Sequence, residues 1–349
     1  MEVEVRSLEP CLPLTDPILS VRGLSVGFAT DQGLLQAVDS ISFDLPRGRT
    51  LGIVGESGCG KSVTAFSIMR LLPQPQGRLL GGQIELRDQA GAIDLAKASP
   101  EEMREIRGKR VSMIFQEPMT ALNPVQSIGR QLSEVFLLHQ TRDKREALEL
   151  SIAILRKVGI PAPEIRVGEY PHQLSGGMRQ RVVIAMALAC KPSVVIADEP
   201  TTALDVTIQA QILELMQSLQ AEMGMSIILI THDLGVIAEM CDDVVVMYAG
   251  RVAEFGPVND IFAAPAHPYT RGLLKSVPRL TSTPKSRLNV IEGIVPGLAD
   301  LPSGCRFQNR CPYRIDACVK QPPLEAVSSG HETACWRWRD VVQEPVIAP

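Results

Sequence analysis

The sequence predicts an α/β fold followed by a small cysteine-rich C-terminal extension, and three observations carry that expectation. Short apolar runs at Leu51 to Val54, Val111 to Phe115, Val194 to Ala197 and Ser226 to Ile230 are bounded by polar or turn residues. Longer helical patterns separate them, as they separate buried parallel strands. A glycine-rich octapeptide, Gly55 to Ser62, directly follows the first run. Four cysteines, Cys305, Cys311, Cys318 and Cys335, cluster late in a chain that is otherwise thiol-poor.

At roughly 150 residues per domain, 349 residues suggest about two domains and leave ample chain for a core. The composition is that of a globular protein: 45% hydrophobic, 21% charged and 4% aromatic. So few rings argue against a reader of single-stranded RNA. With 35 Lys plus Arg against 39 Asp plus Glu, the formal net charge is −4, and no global positive field draws the chain to nucleic acid or anionic lipid. The longest purely apolar stretch, Val182 to Cys190, falls short of the roughly 18 residues of a membrane span. The first residues, MEVEVRSLEP, lack the basic start and apolar core of a secretory signal, so a cytosolic chain is expected. There the eight cysteines should stay mostly thiols, and a regular cluster points to metal before disulfides.

In chain order, the run Leu51 to Val54 reads as a strand, the glycines as a loop, and Lys61 to Leu72 as a helix stopped by Pro73. After the strand Val111 to Phe115, the stretch to Pro192 shows helix-like segments such as Ile128 to His139 and Lys144 to Val158, and reads as an inserted helical subdomain. Strands at Val194 to Ala197 and Ser226 to Ile230 follow. From Asp242 the alternation through Val246, Tyr248, Ala249-Gly250 and Val252 suggests a hairpin. Pro257, Pro265, Pro268, Pro278 and Pro284 mark a connector, and residues 285 to 349 hold too few apolar side chains for a core of their own, so a staple would help them fold.

Gly55-Glu56-Ser57-Gly58-Cys59-Gly60-Lys61-Ser62 fits GxxxxGK[ST] in the strand-loop-helix context that this motif requires. Its glycines let backbone N–H groups turn inward around a β-phosphate. The helix start adds positive dipole, Lys61 a point charge for the β- and γ-phosphates, and Ser62 a Mg²⁺ ligand. The run Val194 to Ala197 ends in Asp198-Glu199, which should lie beside this loop at the carboxyl edge of the sheet. Asp198 suits the Mg²⁺ shell, and Glu199 can polarise a water in line with the γ-phosphate. By itself, an apolar run ending in two carboxylates is also what a strand meeting solvent looks like.

Leu174-Ser175-Gly176-Gly177-Met178-Arg179-Gln180 resembles the signature sequence of ATP-binding cassette (ABC) ATPases. The other pieces come in the order of that family: Gln116 as its Q-loop, Ala203-Leu204-Asp205 as its D-loop, and His232 as its switch histidine. Phe28 stands where these proteins stack an aromatic on adenine, although it reads equally as a core ring. The match covers about residues 17 to 275. It implies a P-loop NTPase of ABC type, a RecA-like core with antiparallel β and helical subdomains, over 17–270 with the helical part at about 117–190. Through the family, Gln116 is expected to reach Mg²⁺ and water, and His232 the γ-phosphate. Ser175, Gly176 and Gly177, which on their own read as a helix N-cap, are expected to close on ATP held by a partner's P-loop. Two departures stand out: Met178 replaces the commoner Gln, and the thiol of Cys59 lies within the phosphate loop.

Gln116 to Pro124, the segment Ala266 to Arg271, and the tail around Cys305 to Cys335 resemble the oligopeptide/dipeptide branch of ABC importers, which includes nickel and glutathione systems. The resemblance implies an ATP-hydrolysing subunit on the cytoplasmic face of the inner membrane. It would pair with a second ABC ATPase subunit, two membrane permease subunits and, indirectly, an extracytoplasmic substrate-binding protein, with no nucleic acid involved. The four cysteines of the 271–349 extension are separated by five, six and sixteen residues, a spacing that names no metal. Zinc, free thiols and a disulfide all remain open, while the branch implies a [4Fe-4S] cluster. Arg306, Arg310 and Arg314 are read as a solvated face, because acidic and basic residues nearly balance in this segment.

Overall fold

A computed structural model of the chain describes residues 17–31, 33–117, 121–202, 204–277 and 290–343. Its first sheet consists of β1 (Leu19–Thr30), β2 (Gly33–Leu45), β4 (Gly77–Asp88) and β5 (Gly91–Asp94), antiparallel in the order β2-β1-β4-β5. The second holds β3 (Thr50–Val54), β6 (Val111–Ile114), β7 (Val194–Asp198), β8 (Ser226–Ile230), β9 (Asp243–Tyr248), β10 (Arg251–Pro257), β11 (Glu325–Ser328) and β12 (His331–Thr333). Its order is β11-β12-β10-β9-β3-β8-β7-β6.

Strands β9, β3, β8, β7 and β6 run parallel to one another. Every residue of β3, β7 and β8 is buried, which is why these segments read as unbroken apolar runs. The expected hairpin from Asp242 is present as β9 and β10.

The helices are α1 (Lys61–Ile68), α2 (Pro100–Ile106), α3 (Ile128–His139), α4 (Lys144–Lys157), α5 (Pro163–Arg166), α6 (Gly176–Leu188), α7 (Val206–Met223), α8 (Leu234–Met240), α9 (Val258–Ala263), α10 (Pro268–Ser276) and α11 (Trp338–Gln343). Helix α1 stops earlier than its periodicity suggests, because Arg70 turns to a left-handed φ of 52° before Pro73 is reached. The Arg70 guanidinium bonds the carbonyls of Leu95 and Ala96 at 3.0 and 2.6 Å. Helices α3, α4 and α6 make the inserted helical layer, sharing a core with Leu132, Phe136, Leu155 and Val182 at its centre. Side-chain caps at Ser127, Asp143, Asp205 and Asp233 start α3, α4, α7 and α8. No helix among the described residues is long and apolar enough to cross a membrane.

The extension continues the cassette: β12 pairs with β10 through Glu254 opposite Thr333 and Phe255 opposite Glu332. It also borrows a core. Phe307 packs with Tyr248 and Tyr269, the rings meeting edge-on from Tyr248 at 5.1 and 4.7 Å. The join is pinned by Glu254, which is fully buried and accepts from the N–H groups of Ala266 at 2.6 Å and His267 at 3.0 Å. Nε2 of His331 lies 2.7 Å from the same carboxylate.

Removing one member of such a buried set strands the others. Glu254→Ala is therefore expected to lower unfolding free energy by about 3 kcal/mol. Lys157→Ala, which breaks a surface pair with Glu222, is expected to cost less than about 1 kcal/mol. Denaturant unfolding checks both, and a Glu254 loss no larger than the Lys157 loss would remove Glu254 as the anchor.

Candidate active site

The carboxyl ends of four adjacent parallel strands carry the candidate residues. The loop Gly55 to Ser62 leaves β3, Thr231-His232 follows β8, Asp198-Glu199 ends β7, and Gln116 lies just beyond β6. This edge is where ligands bind in open α/β sheets. The loop needs its glycines, since Gly55, Gly58 and Gly60 take φ of 151°, 79° and 102°. A Cβ on Gly55 would sit 2.2 Å from the Met247 carbonyl oxygen.

Lys61 is buried, and its ammonium donates to the carbonyls of Gly55 at 2.8 Å and Glu56 at 3.2 Å. Ser57 and Gly58 face solvent at the mouth. The Cys59 thiol is buried, and burial pushes its pKa up against the opposing pull of Lys61, so it remains a thiol with little reactivity.

Ser62 Oγ donates to Asp198 at 3.2 Å, joining the loop to the end of β7. Burial raises the Asp198 pKa; Ser62 and Lys61 work against this and Glu199 adds to it. The paired carboxylates are thus short of positive charge, which fits a divalent cation held by Ser62 and Asp198. Glu199 takes a left-handed φ of 47°, a strained conformation of the kind found at functional sites. Its carboxylate accepts from Gln116 Nε2 at 3.0 Å and Thr202 Oγ1 at 2.9 Å, and lies 3.5 Å from His232 Nδ1. The Glu199 side chain is 16% exposed whereas that of His232 is 68% exposed, so one end of this chain of contacts is fixed and the other is open to solvent.

The Ser175 turn lies in the helical layer. Ser175 Oγ accepts from Met178 N–H at 3.3 Å as the cap of α6, and a Cβ on Gly177 would meet Ile208 of α7 at 3.0 Å. Ser175 and Gly176 are exposed, leaving this turn available to an outside ligand. Phe28 is half-buried on the antiparallel sheet against the main core. Ala203, together with Pro118 to Thr120 of the segment after Gln116, lies outside the described residues, as do Pro278 and Pro284 of the connector.

In the extension, burial raises the pKa of Cys305, brings that of Cys311 to about 11 and that of Cys335 to about 12. Electrostatic influence from the other thiols adds to each, and Cys305 N–H donates to the Cys318 carbonyl at 2.9 Å. The four residues therefore share one neighbourhood. Among the described residues, however, no group of three or more His, Cys, Asp or Glu side chains is arranged to hold a metal ion, so the expected ligand set is not seen as such.

The solvated-face reading is overturned for two of its three arginines: Arg314 is exposed, but the side chains of Arg306 and Arg310 are only 9% and 5% exposed. They are buried ion-pair partners, Arg306 of Asp39 and Arg310 of Glu56, because the extension folds onto the cassette. Tyr269 and Thr202 were also missed as site residues. Tyr269 lies within the Ala266 to Arg271 segment singled out in the sequence, and its hydroxyl accepts from Glu56 N–H at 2.7 Å.

Comparison with known proteins decides the family. The ABC transporter model matches residues 38–202, and the model "oligopeptide/dipeptide transporter, C-terminal region" matches 253–318. The dipeptide transport ATP-binding protein DppD of Bacillus subtilis is 52% identical over 92% of this chain and 95% of its own length. The chain belongs to the ABC ATPase family. A putative peptide import ATP-binding protein of Brucella melitensis is 52% identical over 93% of this chain and 98% of its own. The oligopeptide transport ATP-binding protein OppD of Salmonella typhimurium is 50% identical over 92% and 93%. Among solved structures, a dimeric ATP-binding cassette in a post-hydrolysis state with ADP and Pi has the same fold at TM-score 0.60, with 23% identity over 69% of this chain and 98% of that one. The protein cbiO1 of Clostridium perfringens, part of the ABC transporter complex cbiONQ, gives 0.58, with 29% identity over 71% and 91%.

The Gly55 contact yields a direct expectation. Gly55→Ala should cost about 2–4 kcal/mol of stability, since β3 or β9 must move to admit a methyl group beside the Met247 carbonyl. Gly58→Ala meets open space and should cost about 1 kcal/mol from its φ alone. Thermal unfolding of the two variants checks the difference.

Proposed function

We propose that this ABC ATPase energises import of dipeptides or oligopeptides, by closing with a second ATPase subunit over Mg-ATP and driving two membrane permease subunits that receive cargo from an extracytoplasmic binding protein. Its place is the cytoplasmic face of the inner membrane. The observation that carries the reading is the convergence of Gln116, Thr202 and His232 on Glu199, at the strand edge that also bears the phosphate loop. The relatives named for peptide transport supply the cargo class, and the dimeric cassette supplies the precedent for pairing.

In this reading the N–H groups of residues 55 to 62 and the Lys61 ammonium cradle the β- and γ-phosphates. Ser62, Asp198 and Gln116 would hold Mg²⁺, which would supply neutralisation of phosphate charge when bound. Phe28 offers a face to adenine. Glu199 accepts the proton of a water attacking the γ-phosphorus, so that the bond to the β–γ bridging oxygen breaks and ADP and phosphate leave. His232 bridges Glu199 and the γ-phosphate, and the Ser175, Gly176 and Gly177 turn of the partner subunit closes the opposite side through its hydroxyl and helix N-terminus. Glu199→Gln is expected to leave ATP affinity within about threefold while lowering kcat by about a hundredfold or more, and to accumulate an ATP-bound dimer on size exclusion. Normal turnover in that variant would dismiss Glu199 as the base.

We infer further that Cys305, Cys311, Cys318 and Cys335 hold a [4Fe-4S] cluster. Support comes from the chemistry of the donor set: four cysteines supply the four thiolates that such a cluster takes, and Cys305 N–H already bonds the Cys318 carbonyl at 2.9 Å. When bound, a cluster would supply the staple that so apolar-poor a segment needs. Anaerobic purification with iron and sulfide analysis is expected to give about four of each per chain, lost in Cys305→Ser/Cys311→Ser. Zinc at stoichiometric level, or protein without metal, would replace this reading. Cargo is settled separately, by ATPase stimulation of the assembled transporter with dipeptides, longer peptides, glutathione and nickel complexes.

A further inference from the structure

The second residue of the phosphate loop is held from outside by a residue far along the chain. Arg310 sends a fork to the Glu56 carboxylate, Nη1 to Oε2 at 2.7 Å and Nη2 to Oε1 at 3.0 Å. Such bidentate pairs fix orientation as well as distance. The rest of the guanidinium is committed: Nε donates to the Glu292 carbonyl at 2.9 Å, Nη2 to that of Ile291 at 3.2 Å, and Nη1 to Tyr248 Oη at 3.4 Å. The Tyr248 and Phe307 rings flank it at 5.8 and 5.9 Å. Burial opposes its charge, but the bonds to Glu56 and Tyr248 outweigh that and hold its pKa above the ordinary value.

The backbone of the same residue is fixed too, through the bond from Glu56 N–H to Tyr269 Oη. A second arginine braces the loop's far side. Arg306 bonds the Ala249 carbonyl and lies 2.5 Å from Asp39, while the next residue, Gly250, donates its N–H to the Cys59 carbonyl at 2.9 Å.

This arrangement solves an electrostatic problem. A carboxylate in a loop that cradles triphosphate repels the ligand unless a cation neutralises it and holds it outward. We infer that Arg310 of the C-terminal extension is a positioning residue of the nucleotide site, neutralising Glu56 and holding it outward so that the phosphate loop is preset for ATP. This rests on the reading of residues 55 to 62 as the ATP site. It gives the extension a role in nucleotide affinity, separate from any metal it carries.

The test measures binding of a fluorescent ATP analogue with Mg²⁺ to the full-length chain. Arg310→Gln should raise Kd about tenfold, the scale of one uncompensated charge-assisted contact. Adding Glu56→Gln to it should bring Kd back to within about threefold of the parent, because the repelling charge is gone. A support that acts only by shape would not be rescued in this way. Unchanged Kd in Arg310→Gln, or a raised Kd that Glu56→Gln fails to restore, would overturn the inference. If Arg310→Gln does not fold, Arg310→Lys keeps the cation and loses the fork; a two- to threefold rise is then expected, and no rise would overturn it equally. Lys61→Ala runs beside these: if it binds ATP normally, the site reading itself fails, whereas lost binding there with normal binding in Arg310→Gln condemns only the arginine.

Discussion

The parallel register of β6, β7, β8 and β3 is the constraint on which the rest of this molecule turns. Pairing of Ile114 with Ala197, Asp198 with Ile230 and Ile53 with Ile230 brings the four strand ends level. The residues that leave those ends therefore meet without needing long side chains. The Glu199 N–H donates to the Ile230 carbonyl at 2.8 Å, so even the strained residue is tied to its neighbour strand. A one-residue slip of β7 against β8 would turn Asp198 to the opposite face of the sheet and break the Ser62 contact.

That constraint explains the crowding around the phosphate loop. Strand β9 lies beside β3, and its Met247 carbonyl occupies the space a side chain at position 55 would take. With glycines at the turns, the loop can direct its N–H groups inward, but glycine contributes no side chain to anchor it. Beside the loop's own Lys61, whose ammonium holds the Gly55 and Glu56 carbonyls, the anchors come from outside it: Tyr269 and Arg310 at Glu56, Gly250 at Cys59, and Asp198 at Ser62. Flexible residues and external supports are two halves of one solution, since a glycine-rich turn left free would lose entropy on closing around a ligand.

What could be read from the sequence divides along the same line. The loop and the paired carboxylates sit next to strands in the chain, so local pattern placed them at the sheet edge; Gln116 and His232 also follow strands, but it was the family resemblance that singled them out. The helical layer was equally legible, with α3 and α4 within a residue of the periodicity. The antiparallel sheet was visible only through family resemblance, because register shifts at Leu24 and Val26 break the alternation of β1. Charge balance in the extension misled, since a count cannot say where partners lie. The partner of Arg310 is 254 residues away, and that of Tyr269 is 213 residues away.

Two buried guanidinium groups would be a heavy desolvation cost for a segment this short if it stood alone. Asp39 and Glu56, which offset that cost, belong to the cassette, and so do Tyr248 and Tyr269, whose rings complete the Phe307 core. The extension is thus defined by what it binds in its own chain. Cys305-Arg306 and Arg310-Cys311 place a cation beside each of two thiols: the arginines reach the cassette, while the thiols affect one another. Rearrangement of residues 305 to 311 would displace both arginines, and each ends within one or two hydrogen bonds of the phosphate loop. In a fold where that loop has few supports of its own, the chemistry of a remote segment has a short mechanical route to the nucleotide.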